Sequence, residues 1–111
     1  MEILKHLENS QIVRKFSVLD YKVFTGGLYI KMKAELKDGS VLHIKEYSDV
    51  SSRKYSYNWQ TPDGKLILRW DNSPHYKHVK TFPHHKHIDG GISESYTIVI
   101  EDVLEEIQEL L

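Results

Sequence analysis

Leu28-Tyr29-Ile30-Lys31-Met32-Lys33-Ala34-Glu35-Leu36 alternates apolar and polar residues, with only Tyr29 softening the pattern. Successive side chains of a β-strand point to opposite faces. Leu28, Ile30, Met32, Ala34 and Leu36 therefore line one face, and Tyr29, Lys31, Lys33 and Glu35 the other. A strand patterned this way belongs to an antiparallel sheet with one buried face. Outward from it, turn-forming clusters recur at Gly26-Gly27, Lys37-Asp38-Gly39-Ser40, Thr61-Pro62-Asp63-Gly64 and Asp89-Gly90-Gly91. Short runs of β-branched and aromatic residues lie between them, as in a β-meander. Strands are predicted over Gln11–Phe24 (kinked around Asp20), Leu28–Leu36, Val41–Tyr47, Lys54–Gln60 and Lys65–Trp70.

The turn residues set the register. A plain two-residue turn through Asp38-Gly39 pairs Leu36 with Val41 and brings His43 and Lys45 onto the apolar face. A glycine bulge at Gly39 shifts the pairing by one, so Leu42 and Ile44 meet Leu36 and Ala34. A one-residue slip moves every side chain to the opposite face, so burial selects the bulged register. That choice turns Glu46 inward. Across Thr61–Gly64, pairing Gln60 with Lys65 gathers Tyr55, Tyr57, Trp59, Leu66, Leu68 and Trp70 on one face. Large aromatic areas make that face the expected hydrophobic centre. Ser56, Asn58, Ile67 and Arg69 face the other way.

In the tail, Ile100, Val103, Leu104, Ile107, Leu110 and Leu111 keep helical spacing, and Glu101, Asp102, Glu105, Glu106 and Glu109 cover the opposite side. Acids in the first turn suit the positive end of the helix dipole. A shorter helix fits Glu2–Glu8, where Ile3, Leu4 and Leu7 share a face. The expected architecture is α+β, a single domain over 1–111. An antiparallel meander of about five strands carries the C-terminal amphipathic helix on one face. Docking of that helix on a partner is the alternative, and self-association as a homodimer stays open.

Composition narrows the function classes. The chain lacks cysteine, which excludes disulfides and thiolate metal sites. No apolar run approaches the roughly 20 residues of a membrane span, and Met1–Glu8 lacks the pattern of a secretory signal. A cytoplasmic protein is expected. The net charge of −1 hides an uneven distribution: residues 51–89 carry seven basic and three acidic groups, whereas residues 90–111 carry six acids and no base. The basic segment suits phosphate-bearing ligands, unless the acidic tail neutralises it within the fold.

That basic segment holds five of the seven histidines: His75, His78, His84, His85 and His87. Residues 71–91 show no periodic pattern and read as a long loop, a common seat of function. Trp70-Asp71-Asn72-Ser73-Pro74 reads as a strand end entering an Asx or proline turn. Phe82-Pro83 reads as an anchor, its ring dipping into the core, with either peptide isomer open. Imidazoles in different environments serve as general acid and base for metal-free RNA cleavage, with Arg69, Lys80 or Lys86 steadying the phosphate. Alternatively, His75-x-x-His78 or His84-x-x-His87 binds a metal with Asp71 or Asp89. A third option is structural, with the rings bonding carbonyls and packing on Trp70 or Phe82. An extended chain is expected to turn His85 away from His84 and His87. His6 and His43 are isolated and read as structural or surface residues.

Five blocks carry a family resemblance: Tyr55-Ser56-Tyr57-Asn58-Trp59-Gln60, Asp63-Gly64, Arg69-Trp70-Asp71-Asn72-Ser73-Pro74-His75, Thr81-Phe82-Pro83-His84-His85-Lys86-His87 and Glu101-Asp102-Val103-Leu104-Glu105-Glu106-Ile107. In this order they resemble the TumE family of small prokaryotic toxins of toxin–antitoxin pairs, from about Leu36 to the C-terminus. Tyr76 departs from the family's frequent second His, and Val99 from its Thr or Ser before the last helix. The resemblance implies a toxin acting on translation or RNA and held by a cognate antitoxin. Residue types then assign catalysis to His75, His84, His85 and His87, phosphate binding to Arg69 and Lys86, and support to Asp71 and Tyr57. Neither metal nor cofactor is expected. Two other classes stay open, a non-catalytic interaction module and a metal-dependent hydrolase, so enzymatic activity itself is undecided.

Overall fold

A computed structural model of the protein describes residues 2–88 and 91–111. Helix α1 spans Glu2–Asn9. Strands β1 (Val13–Phe24), β2 (Gly27–Leu36), β3 (Val41–Ser48), β4 (Arg53–Gln60), β5 (Leu66–Asp71), β6 (His85–Ile88) and β7 (Gly91–Glu94) follow, and helix α2 (Ile100–Leu110) closes the chain. The strands form one sheet in the order β1-β2-β3-β4-β5-β6-β7, each antiparallel to the next. The α+β meander with a helix near each terminus is as expected, but it has seven strands rather than about five. The two added strands are four residues each; β6 lies in the segment read as loop, and β7 starts at that segment's last residue, Gly91. Their side chains are mostly polar, so backbone pairing of β6 with β5 and of β7 with β6 forms them, and hydrophobic periodicity does not reveal them.

Alternation decides the core. Ile30, Met32, Ala34 and Leu36 of β2 and Leu42 and Ile44 of β3 are buried, as are Tyr55, Tyr57, Trp59, Leu68 and Trp70 of β4 and β5. They form one cluster with Ile100, Val103, Leu104 and Ile107 of α2 and with Ile3 and Leu7 of α1. Burying a large apolar side chain contributes about 1.5–3 kcal/mol, so this shared face dominates the stability. Leu110 and Leu111, placed on the same helical stripe, are exposed at the helix end. Val99 supplies no side-chain cap; Asp102 Oδ2 instead accepts the Val99 N–H at 2.9 Å, the backward half of a capping box.

Both hairpin registers differ from expectation while the faces hold. Leu36 N–H donates to Ser40 O and Gly39 N–H to Leu36 O, with Gly39 at φ +91°. The loop therefore has three residues, and Leu42 and Ile44 face Ala34 and Met32 rather than Leu36 and Ala34. The glycine lengthens the turn in the opposite sense to the bulge anticipated. Glu46 does turn inward, where Arg53 Nη2 meets it at 3.3 Å. In the β4–β5 hairpin Thr61 pairs with Lys65, and a register shift by Trp59/Gln60 sets Trp59 opposite Leu68 and Tyr57 opposite Trp70. Leu66, expected in the aromatic cluster, falls before that shift and is exposed. The β1 kink lies at a register shift between Val18 and Asp20.

Candidate functional site

The pairing of β5 with β6 sorts the site residues. Asp71 lies opposite His85, Trp70 opposite Lys86 and Arg69 opposite His87. Strand alternation thus puts Arg69, Asp71, His85 and His87 on one face and Trp70 and Lys86 on the other. The second pair meets α2: Trp70 Nε1–H donates to Glu106 Oε2 at 2.6 Å, and Lys86 Nζ donates to Glu106 Oε1 at 2.8 Å.

Asp71 is the hub of the open face. Its carboxylate is buried and accepts from the Ser73 N–H at 3.1 Å, the Ser73 hydroxyl at 3.0 Å and Arg69 Nε at 2.8 Å. The Ser73 bonds form the Asx turn foreseen at this strand end. His85 Nε2 lies 2.7 Å from Asp71 Oδ1 and His87 Nε2 lies 3.4 Å from Oδ2. The His85 contact has the distance of an ion pair without the alignment of a hydrogen bond, since Nε2 has no hydrogen-bonded partner. Its other ring nitrogen, Nδ1, stands 2.9 Å from Pro83 O. The Tyr76 ring covers both imidazoles edge-on, 4.7 Å from His85 and 5.6 Å from His87 between centroids.

The electrostatics follow from this packing. Burial pushes the Asp71 carboxyl up, but Arg69, Ser73 and His85 together outweigh it, and its pKa falls below the ordinary value. Burial also lowers the His87 pKa; Asp71 pulls it back, while His85 and Arg69 add to the lowering. On the other face His84 Nδ1 lies 2.8 Å from the Tyr55 hydroxyl, and the rings stack at 5.8 Å. Burial, then Arg53 and His85, lower the His84 pKa, and burial pushes the Tyr55 phenol up to about 12.

The sequence-predicted residues thus divide. Arg69, Asp71, His85 and His87 come together. His85 and His87 face the same way because they stand two apart on an extended strand, contrary to the orientation expected. His84 points to the Tyr55 side, while His75 is exposed on the preceding turn. Lys86, expected to hold phosphate, is drawn to Glu106 on the helix face. Tyr57, expected to support the site, is sealed in the core beneath α2, its hydroxyl accepting from Arg53 at 2.9 Å. Phe82 does not anchor the loop: its ring is exposed, and the buried side chain there is Val79. The Phe82-Pro83 peptide is cis. Among the described residues, the metal-capable group is Asp71, His85 and His87, with ligand atoms within 4.8 Å of one another. Among the described residues neither three-residue His spacing forms such a group, and Asp89 lies outside them.

Two residues escaped sequence reasoning. Asn72 acts as a strand extension, accepting from the Tyr55 N–H at 3.0 Å and donating to Arg53 O at 2.8 Å. It thereby fixes where β5 ends and how Asp71 is presented. Arg53 donates to Glu46, Tyr57 and the Ile98 carbonyl and sits 4.5 Å over the Tyr55 ring. An arginine opening an aromatic strand was the available signal. A cleft of about 490 Å³ beside Trp70, Lys86 and Glu106 lies on the helix face, away from the imidazole–carboxylate group.

Fold and site together define a small single-sheet α+β protein with a buried carboxylate gathering an arginine and two histidines at one end of its sheet. Residues 3–111 match the family model described as toxin TumE, and the chain belongs to that family. This toxin family implies an antitoxin partner. No curated protein and no solved structure matches the chain. No helix among the described residues is long and apolar enough to cross a membrane.

Proposed function

We propose that this TumE-family protein is the toxin of a toxin–antitoxin pair, acts on RNA in the cytoplasm, and cuts the phosphodiester chain at the Asp71–His85–His87 cluster. The observation that carries this reading is a single buried carboxylate that holds Arg69 and two imidazoles side by side. Arg69 spends its Nε on Asp71, which leaves its terminal nitrogens for a phosphate. It is 40% exposed and His87 is 22% exposed, so these two are the members that a substrate reaches. A lowered pKa keeps His87 neutral near pH 7, as proton uptake or ligand binding requires.

Cleavage by two freely accessible imidazoles, the expectation from residue types, fits less well. The His85 side chain is 1% exposed, out of a substrate's direct reach. His75 and His84 stay outside the proposed site.

The test is induction of the chain without its antitoxin, alongside incubation of purified protein with labelled RNA. Growth arrest and shortened RNA are expected, with both lost in folded Arg69→Ala and His87→Ala variants. Growth arrest with intact RNA, or undiminished cleavage by both variants, refutes the assignment. The latter result would place cleavage outside this cluster.

A further inference from the structure

We propose that Asp71, His85 and His87 form a binding site for one divalent transition-metal ion of the zinc class. The proposal deepens the RNA reading by naming a cofactor for the same cluster, and it replaces the metal-free chemistry that residue types alone suggested. Its binding part does not depend on RNA being the substrate.

The key is the tautomer of His85. Pro83 O can only accept, so the Nδ1 that faces it at 2.9 Å is the nitrogen carrying hydrogen. In the neutral ring the lone pair then sits on Nε2. That atom is buried, has no hydrogen-bonded partner and lies only 2.7 Å from Asp71 Oδ1. An acceptor nitrogen and a carboxylate oxygen held that close, with no hydrogen bond aligned between them, call for a cation beside them. His87 brings a third donor, Nε2, to the other carboxylate oxygen.

The donor set suits such an ion. Two imidazoles and one carboxylate are the ligands of open zinc sites, in which a fourth position is left to water or substrate. The outer contacts match as well. Histidine ligands generally donate their second N–H to a carbonyl, and carboxylate ligands are themselves hydrogen-bonded. Pro83 O does the first for His85, and Ser73 does the second for Asp71. Arg69 beside the carboxylate weakens its pull on a cation, but places a fixed positive charge where a phosphate bound at the open position would lie.

The experiment uses the full chain, expressed without a histidine tag and stripped with a chelator, titrated with Zn²⁺ alone by calorimetry. Binding of one ion per chain and a rise in melting temperature are expected. His87→Gln, which changes a part-exposed ring and leaves the buried pair in place, should weaken binding by roughly tenfold or more. A His75→Ala/His78→Ala variant should bind as the parent does. The proposal is overturned if the parent binds no Zn²⁺, if His87→Gln binds equally well, or if the His75/His78 variant alone abolishes binding. RNA cleavage by the stripped, zinc-blind protein would remove the metal and keep the RNA reading. Zinc binding by a protein that leaves RNA intact would do the reverse.

Discussion

Glu106 should hold the strand that carries both clustered histidines. Its carboxylate accepts from the buried Trp70 indole at 2.6 Å and from Lys86 of β6 at 2.8 Å. Glu106→Ala leaves the indole N–H without its acceptor, a loss of about 1–3 kcal/mol. The ion pair adds little more, about 0–1 kcal/mol, because the Lys86 and Glu106 side chains are 23% and 32% exposed. The expected total is about 1–4 kcal/mol. Glu106→Gln keeps an acceptor for the indole and gives up only the charge, so it should cost no more than about 1 kcal/mol. Urea unfolding followed by tryptophan fluorescence measures both, provided the m-values agree. Amide exchange over residues 85–88 should also quicken in the alanine variant, because β6 loses its tie to α2. Alanine within about 0.5 kcal/mol of the parent, or equal costs for alanine and glutamine, refutes a clamp built on the indole bond.

Three further outcomes are expected. Gly27→Ala should destabilise by about 1–3 kcal/mol, because a Cβ there meets Ser48 O at 2.2 Å and the Phe24 ring at 2.6 Å; Gly64→Ala, with open space and only its φ of +91° to strain it, should cost about 1–2 kcal/mol, and a thermal melt finding Gly27→Ala the milder change would contradict the packing. Ser40→Ala removes the acceptor 2.9 Å from the buried Trp59 indole and should cost about 1–3 kcal/mol by urea titration; no loss would mean the indole finds another partner. Burial first, then Lys33 and Lys31, lower the His43 pKa. The unfolded chain therefore takes up this proton at higher pH than the folded one, and stability falls as pH drops below about 6.5. His43→Gln should reduce the loss of unfolding midpoint between neutral and mildly acid buffer, and an unchanged loss would exclude that contribution.

The sequence made the buried face legible because it could be read one residue at a time. Ile30, Met32, Ala34 and Leu36 alternate against lysines, and Tyr57, Trp59, Leu68 and Trp70 do the same across a turn. Pairing partners were less visible, since Gly39 and Gly64 each sit in a three-residue turn and only hydrogen bonds count such residues. Strand β6 escaped because two of its four side chains are imidazoles set beside Asp71 rather than beside an apolar neighbour. The convergence of Arg69, Asp71, His85 and His87 was legible only in part. Residue types placed them in one segment, but the strand pairing that aligns Asp71 with His85 also carries Lys86 away to Glu106. Nothing local in the sequence announces that long-range choice.

Neighbour order in the sheet is also the order in which the ribosome makes the strands. Each new strand can settle against the one synthesised just before it, so no early strand must wait unpaired for a distant partner, and each hairpin loop closed is short. Arg69 and Asp71 arrive on the fifth strand, the histidines that complete the cluster on the sixth, and the helix that covers the core last. A nascent chain that stalls before His85 therefore carries most of the scaffold and none of the assembled histidine cluster.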